Sequence, residues 1–88
     1  MPTCVLYGPF REAAGTRTVT LEAETVGAAL EALEERHPEL AGRLLAEDSL
    51  AGSTVVTREQ TDIGHLEGLK TPLEPDDRIR VVPSVYGG

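Results

Sequence analysis

The chemistry most exposed in this sequence lies at its end, Ser84-Val85-Tyr86-Gly87-Gly88. At an ordinary glycine frequency of about 7 %, two terminal glycines arise by chance in roughly one chain in two hundred. With no Cβ on Gly87 or Gly88, the backbone can take most φ/ψ values and approach another protein closely. Nothing then shields the carboxylate of Gly88 from a nucleophile. Five extended residues reach about 16–18 Å at most, enough to thread a partner's cleft. The competing reading is an ordinary frayed terminus. A carboxylate is a poor electrophile that normally has to be activated by adenylation with ATP. If Gly88 is used chemically, the activating site has to be here or on a partner.

The body of the chain offers no such site. Residues 64–71, Gly-His-Leu-Glu-Gly-Leu-Lys-Thr, look like a phosphate loop but fail its spacing, which needs four residues between the glycines and Lys directly after the second. His37, His65 and Cys4 lack the short i, i+2 to i+5 spacing of common zinc motifs, so no metal site is expected. No Ser, Thr or Cys stands in a nucleophile motif. Glu31, Glu34 and Glu35 could be taken for paired acid–base carboxylates, but nothing apolar surrounds them to raise a pKa. They read as a solvated helix face. The expectation is a chain that is not itself an enzyme and binds no cofactor, with ATP used by a partner.

The tail has to be held by elements legible in the pattern. Residues 78–83, Arg-Ile-Arg-Val-Val-Pro, read as a strand, with Pro83 stopping the ladder because it has no N–H to donate. Alternation turns Ile79 and Val81 to one face and Arg78, Arg80 and Val82 to the other. Residues 3–8 form a first strand ending at the Gly8-Pro9 turn signal. Residues 10–15 make a turn or two of helix closed by Gly15, with Phe10 covering one end of the core. Residues 17–22 form a half-buried strand with Val19 and Leu21 inward. The main helix starts at Thr25, a cap residue. Val26, Ala29, Leu30 and Leu33 set its buried stripe, and Pro38 ends it. A short helical turn over 37–45 turns Leu40 and Leu44 inward. An acidic loop, Glu47-Asp48-Ser49, precedes a strand over 53–58 and a brief partner strand over 60–63. An irregular stretch, 64–75, is pinned to the core by Leu66, Leu69 and Leu73. There are no internal repeats or linkers.

Composition limits what the fold can do. Eighty-eight residues make one domain that buries roughly 60–65 % of its unfolded surface, with no room for an enclosed substrate pocket. Fifteen acidic residues against eight basic ones, net charge −7, argue against nucleic acid and anionic membrane as partners, since phosphate neutralisation needs Lys and Arg. Lys70 is the single lysine. An acid-rich, lysine-poor composition suits a very salty cytoplasm, where charge repulsion is screened; GC-rich coding favours Arg as well. The lone Cys4 fits a reducing compartment. No basic leader and no apolar run of about 20 residues is present, so a cytoplasmic location is expected.

The order strand, strand, capped helix, irregular stretch, strand, Gly-Gly resembles the ubiquitin-like sulfur carriers of the MoaD and ThiS type, including small archaeal ubiquitin-like modifiers. The resemblance covers essentially the whole chain. It rests on residues 10–15, on Thr25-Val26-Gly27-Ala28-Ala29-Leu30, on Thr71-Pro72-Leu73 with residues 77–83, and on Gly87-Gly88. It implies an α+β, β-grasp (ubiquitin-like) domain over 1–83 with a flexible tail over 84–88. The sheet would be mixed and four- to five-stranded, its first and last strands parallel and central, with one main helix across one face. It also implies that a ubiquitin-activating-type adenylating enzyme adenylates Gly88, and that the product becomes a thiocarboxylate for molybdopterin synthesis or tRNA thiolation. In the modifier branch Gly88 instead forms an isopeptide bond with a lysine of a target protein, or with Lys70 of another copy. The third alternative is a non-covalent docking tail. The open sheet face, with Arg78, Arg80 and Val82, is the expected surface for the partner. Two departures stand out. Relatives of the MoaD kind commonly read Pro-Pro-Val, a small residue, then Gly-Gly, whereas this chain has Ser84 after Pro83 and a large Tyr86, which bears on its fit to a molybdopterin synthase large subunit. Many relatives turn with Asn-Gly after the third strand; this chain has Arg58-Glu59-Gln60.

Overall fold

The computed structural model describes residues 1–47, 49–52 and 54–84. Strand β1 (Thr3–Leu6) is followed by helix α1 (Gly8–Ala14), strand β2 (Thr18–Thr20) and helix α2 (Val26–Arg36). Short strands β3 (Leu45–Ala46) and β4 (Ser49–Leu50) come next, then β5 (Thr54–Arg58), β6 (Thr61–Asp62) and the last strand, β7 (Arg78–Pro83). One five-stranded sheet has the order β2-β1-β7-β5-β6, and β3 and β4 form a separate hairpin. β1 and β7 run parallel at the centre, and the pairs β1–β2, β5–β7 and β5–β6 are antiparallel. This is the α+β, β-grasp arrangement expected from the sequence.

Local sequence explains each element that bears on the tail. β1 is apolar from Cys4 to Leu6, in keeping with its place beside β7 at the centre of the sheet; Cys4, Val5 and Leu6 are all buried. α1 begins two residues before the expected start because Pro9 fits the first helical turn, where its missing N–H would have no partner in any case. Gly15 closes it at φ +76°, its N–H donating to the carbonyl of Arg11. At the start of α2 the Thr25 hydroxyl accepts the N–H of Ala28 at 3.1 Å. Val26, Ala29, Leu30 and Leu33 are fully buried and pack with Cys4, Leu6, Val56, Ile79 and Val81 in the single core on one face of the sheet. The free edge of β2 is blunted, since the carbonyl of Thr18 accepts from the Thr16 hydroxyl and that of Thr20 from the Arg36 guanidinium.

The sequence reading needs three corrections. Leu45–Ala46 and Ser49–Leu50 pair as β3 and β4, Leu45 opposite Leu50, where Leu45 is expected in a helical turn and Ser49 in an acidic loop. In the irregular stretch, Leu69 and Leu73 pack against the core, but Leu66 is exposed. The buried anchor there is Thr71, whose carbonyl accepts from Val26 N–H and whose hydroxyl accepts from Glu67 N–H. Third, Glu34 is not part of a solvated face. Half-buried, its Oε2 accepts the backbone N–H groups of Gly42, Leu44 and Leu45 at 3.0–3.2 Å. Glu31 and Glu35 are exposed, as expected.

Candidate functional site: the open sheet face and the root of the tail

β7 carries the chain out of the middle of the sheet, so whatever holds this strand holds the root of the tail. Its register is fixed on both sides: Ile79 lies opposite Cys4 and Arg58, and Val81 opposite Leu6 and Val56. Both side chains are fully buried. Alternation then turns Arg78, Arg80 and Val82 to the face away from α2, where Arg78 is exposed and Arg80 and Val82 are half-buried. Beside them in register stand Thr3 and Val5 of β1 and Val55 and Thr57 of β5. The result is a small apolar and hydroxyl-bearing patch with two guanidinium groups at its centre, on a chain of net charge −7.

Arg80 is held in place from the β5–β6 turn. Its Nη1 donates to the carbonyl of Glu59 at 2.6 Å. Glu59 has φ +57°, a left-handed conformation that costs a side-chain-bearing residue roughly 1–2 kcal/mol. Its N–H still donates to the carbonyl of Arg78. The return bond, from Arg78 N–H, goes to the Glu59 carboxylate (Oε2, 2.7 Å) rather than to the backbone carbonyl that an unbroken antiparallel ladder would offer. Asp62, across β5 from Arg80, is occupied by its own turn, its Oδ1 accepting from Gly64 N–H at 2.7 Å. Sequence reasoning passed over Glu59, although the Arg58-Glu59-Gln60 turn, with no glycine where the resemblance leads one to expect Asn-Gly, was the signal.

Pro83 is the last residue of β7, buried and opposite Thr54, so the strand ends on a residue with no N–H to pass the ladder on. Ser84 is half-buried and its hydroxyl donates to Gly52 O at 3.5 Å. The expected reactive residue Gly88, with Gly87, Tyr86 and Val85, lies outside the described residues. Lys70 is exposed at the end of a 3-10 turn, Gly68–Lys70. It stands between two shallow depressions, one lined by Leu50 and Ile63, the other by Gly27 and Leu45.

The other chemical residues fall apart in space or into the core. Residues 64–71 form 3-10 turns, not the loop between strand and helix that would cradle a phosphate. Among the described residues no group of three or more His, Cys, Asp or Glu side chains could hold a metal ion. Cys4 is fully buried, and burial pushes its thiol up to about 12. None of the described helices is long and apolar enough to cross a membrane.

Known proteins are similar to this chain in sequence and fold. Residues 4–88 match the model of the ThiS family. Small archaeal modifier protein 3 of Haloferax volcanii is 32% identical over 85 residues, covering 93% of this chain and 92% of that protein. The solution structure of small archaeal modifier protein 1 from Methanosarcina acetivorans superposes with a TM-score of 0.89 at 33% identity, covering 99% of this chain and 95% of that one. A chain of the BexX/CysO complex of Amycolatopsis orientalis also gives 0.89, at 25% identity, with both chains covered in full. A match that runs from β1 through the terminal glycines, on a sheet of this order, makes the chain a ubiquitin-like member of the ThiS family.

Proposed function

We propose that the chain is a carrier activated at Gly88 and that its main product is a thiocarboxylate. The observation that carries this is the family match through residues 87 and 88, joined to a β7 that leads there from the sheet centre. The carboxylate of Gly88 attacks the α-phosphorus of ATP on a partner adenylating enzyme, releasing pyrophosphate. A persulfide on that partner then displaces AMP from the acyl-adenylate to give an acyl disulfide. A second partner thiol cleaves its S–S bond and is left in a disulfide, and the thiocarboxylate so released donates sulfur to a small-molecule or tRNA acceptor. The partner docks on the open sheet face around Arg78, Arg80 and Val82. A partnered state is in keeping with the family, since a similar chain has been solved in a complex with BexX.

The modifier branch is the second reading, favoured by the names of the Haloferax and Methanosarcina relatives. There the acyl-adenylate or a thioester meets a lysine amine, an isopeptide bond forms, and the leaving group carries off the electron pair. Intact mass of the chain recovered from native cells separates the two fates. The carrier reading expects a free chain with one oxygen exchanged for sulfur, and loss of a molybdenum enzyme activity or a thiolated tRNA on deletion. A ladder of denaturation-resistant adducts with normal sulfur products would replace it by the modifier reading.

A further inference from the structure

The Glu59 turn sits 21 residues from Arg80 in sequence yet fixes it in space. Three hydrogen bonds tie this one residue to β7: N–H to Arg78 O, carboxylate from Arg78 N–H, and carbonyl from Arg80 Nη1. The left-handed φ explains the division of labour. A residue in that conformation cannot aim its carbonyl back along the ladder as an extended residue does, so the carbonyl is left for the guanidinium and the carboxylate takes its place on Arg78. A glycine would adopt the same φ without strain, but it has no side chain to complete the ladder. Glutamate at a strained position is therefore accounted for by a bond only its side chain can make.

The consequence falls on the docking face. An arginine side chain normally loses considerable rotamer freedom when it is bound. Here one N–H of Arg80 is already spent on Glu59, while its Nε–Nη2 edge makes no hydrogen bond among the described residues. That edge is the fork that pairs with a carboxylate through two parallel bonds. Asp62, one strand further in register, places its Oδ1 on Gly64 N–H and makes no bond to Arg80 among the described residues. On the reading that this face docks the adenylating enzyme, we infer that Glu59 is a positioning residue: it presets Arg80 to receive an acidic side chain of the partner.

The test uses the full chain and its cognate adenylating enzyme, with Glu59→Gly, Glu59→Gln, Arg80→Met and the Glu59→Gly/Arg80→Met double variant. In the free chain, ¹⁵N relaxation of the Arg80 Nε–H reports the order of the guanidinium. It should be high in wild type and Glu59→Gln, whose amide oxygen can still accept from Arg78, and low in Glu59→Gly, which keeps the carbonyl but loses the side-chain bond that pins the turn, and with it that carbonyl, to β7. In ATP–pyrophosphate exchange, Glu59→Gly should raise KM about five- to tenfold with kcat unchanged, and Glu59→Gln should restore it. In the Arg80→Met background, Glu59→Gly should add nothing further. A Glu59→Gly chain with wild-type Arg80 order and KM overturns the inference, as does an effect that multiplies fully with Arg80→Met. Absence of exchange with wild type overturns the adenylation reading instead, and the relaxation data then decide the Glu59–Arg80 coupling alone.

Discussion

Glu34 shows how one side chain can hold a segment that has almost no secondary structure. Its single oxygen gathers three N–H groups from residues 42–45, and the segment continues into the β3–β4 hairpin, whose two-residue strands could not stand alone. Glu34→Ala should cost about 1–3 kcal/mol, the price of leaving partly buried donors without an acceptor. Urea unfolding would measure that loss, with faster hydrogen exchange confined to residues 42–50, and an equal stability of Ala and wild type would contradict it. Cys4 makes a second residue-scale prediction. Its thiol is raised from 9.0 to about 12 because burial disfavours the thiolate. The folded state thus holds its proton more tightly than the unfolded state. This contribution is fully present below about pH 9 and is lost as pH rises from there towards 12. Cys4→Ala should flatten the alkaline fall in stability, even though the cavity it leaves lowers stability at neutral pH. In the native protein, labelling of Cys4 by a thiol reagent should proceed only through unfolding.

Among the elements, β7 couples the core to the docking face through its alternation. Arg80→Glu should weaken binding to the adenylating enzyme severalfold and shift the melting temperature little, because Ile79 and Val81 keep the strand seated. An unchanged dissociation constant in calorimetry would remove Arg80 from the interface. Elements with a full period or a strong punctuation mark were legible in advance. α2 could be read from Thr25, its apolar stripe and Pro38, β7 from its alternation, and α1 from Gly15. Those built by tertiary contact were not. Two-residue strands carry no periodicity, so β3 and β4 could not be told from a loop. The 64–75 stretch docks by backbone bonds to the start of α2, Thr71 O to Val26 N–H and Glu24 O to Leu73 N–H. For that reason buried Thr71 does the work that apolar character alone assigned to Leu66. Arg78, Arg80 and Val82 were readable as one face from parity, but Glu59's part depends on a backbone angle that no local pattern reveals.

At the scale of the molecule, charge and shape divide the labour between a core-bearing face and an open one. α2 and the segments after it seal one side of the sheet, while two of the chain's eight Lys and Arg residues stand at the centre of the other, in a chain of net charge −7. That distribution suits a partner whose docking surface offers carboxylates beside an apolar patch. Exchange activity should accordingly fall as salt rises, through KM rather than kcat. The central claim, that Gly88 is the group activated, is tested most directly by ATP–pyrophosphate exchange with the cognate adenylating enzyme, comparing the full chain with one lacking only Gly88. The full chain should support exchange and the shortened one should support none, with an unchanged melting temperature, since the deletion leaves the core and β7 untouched. Equal exchange from both chains would contradict the claim.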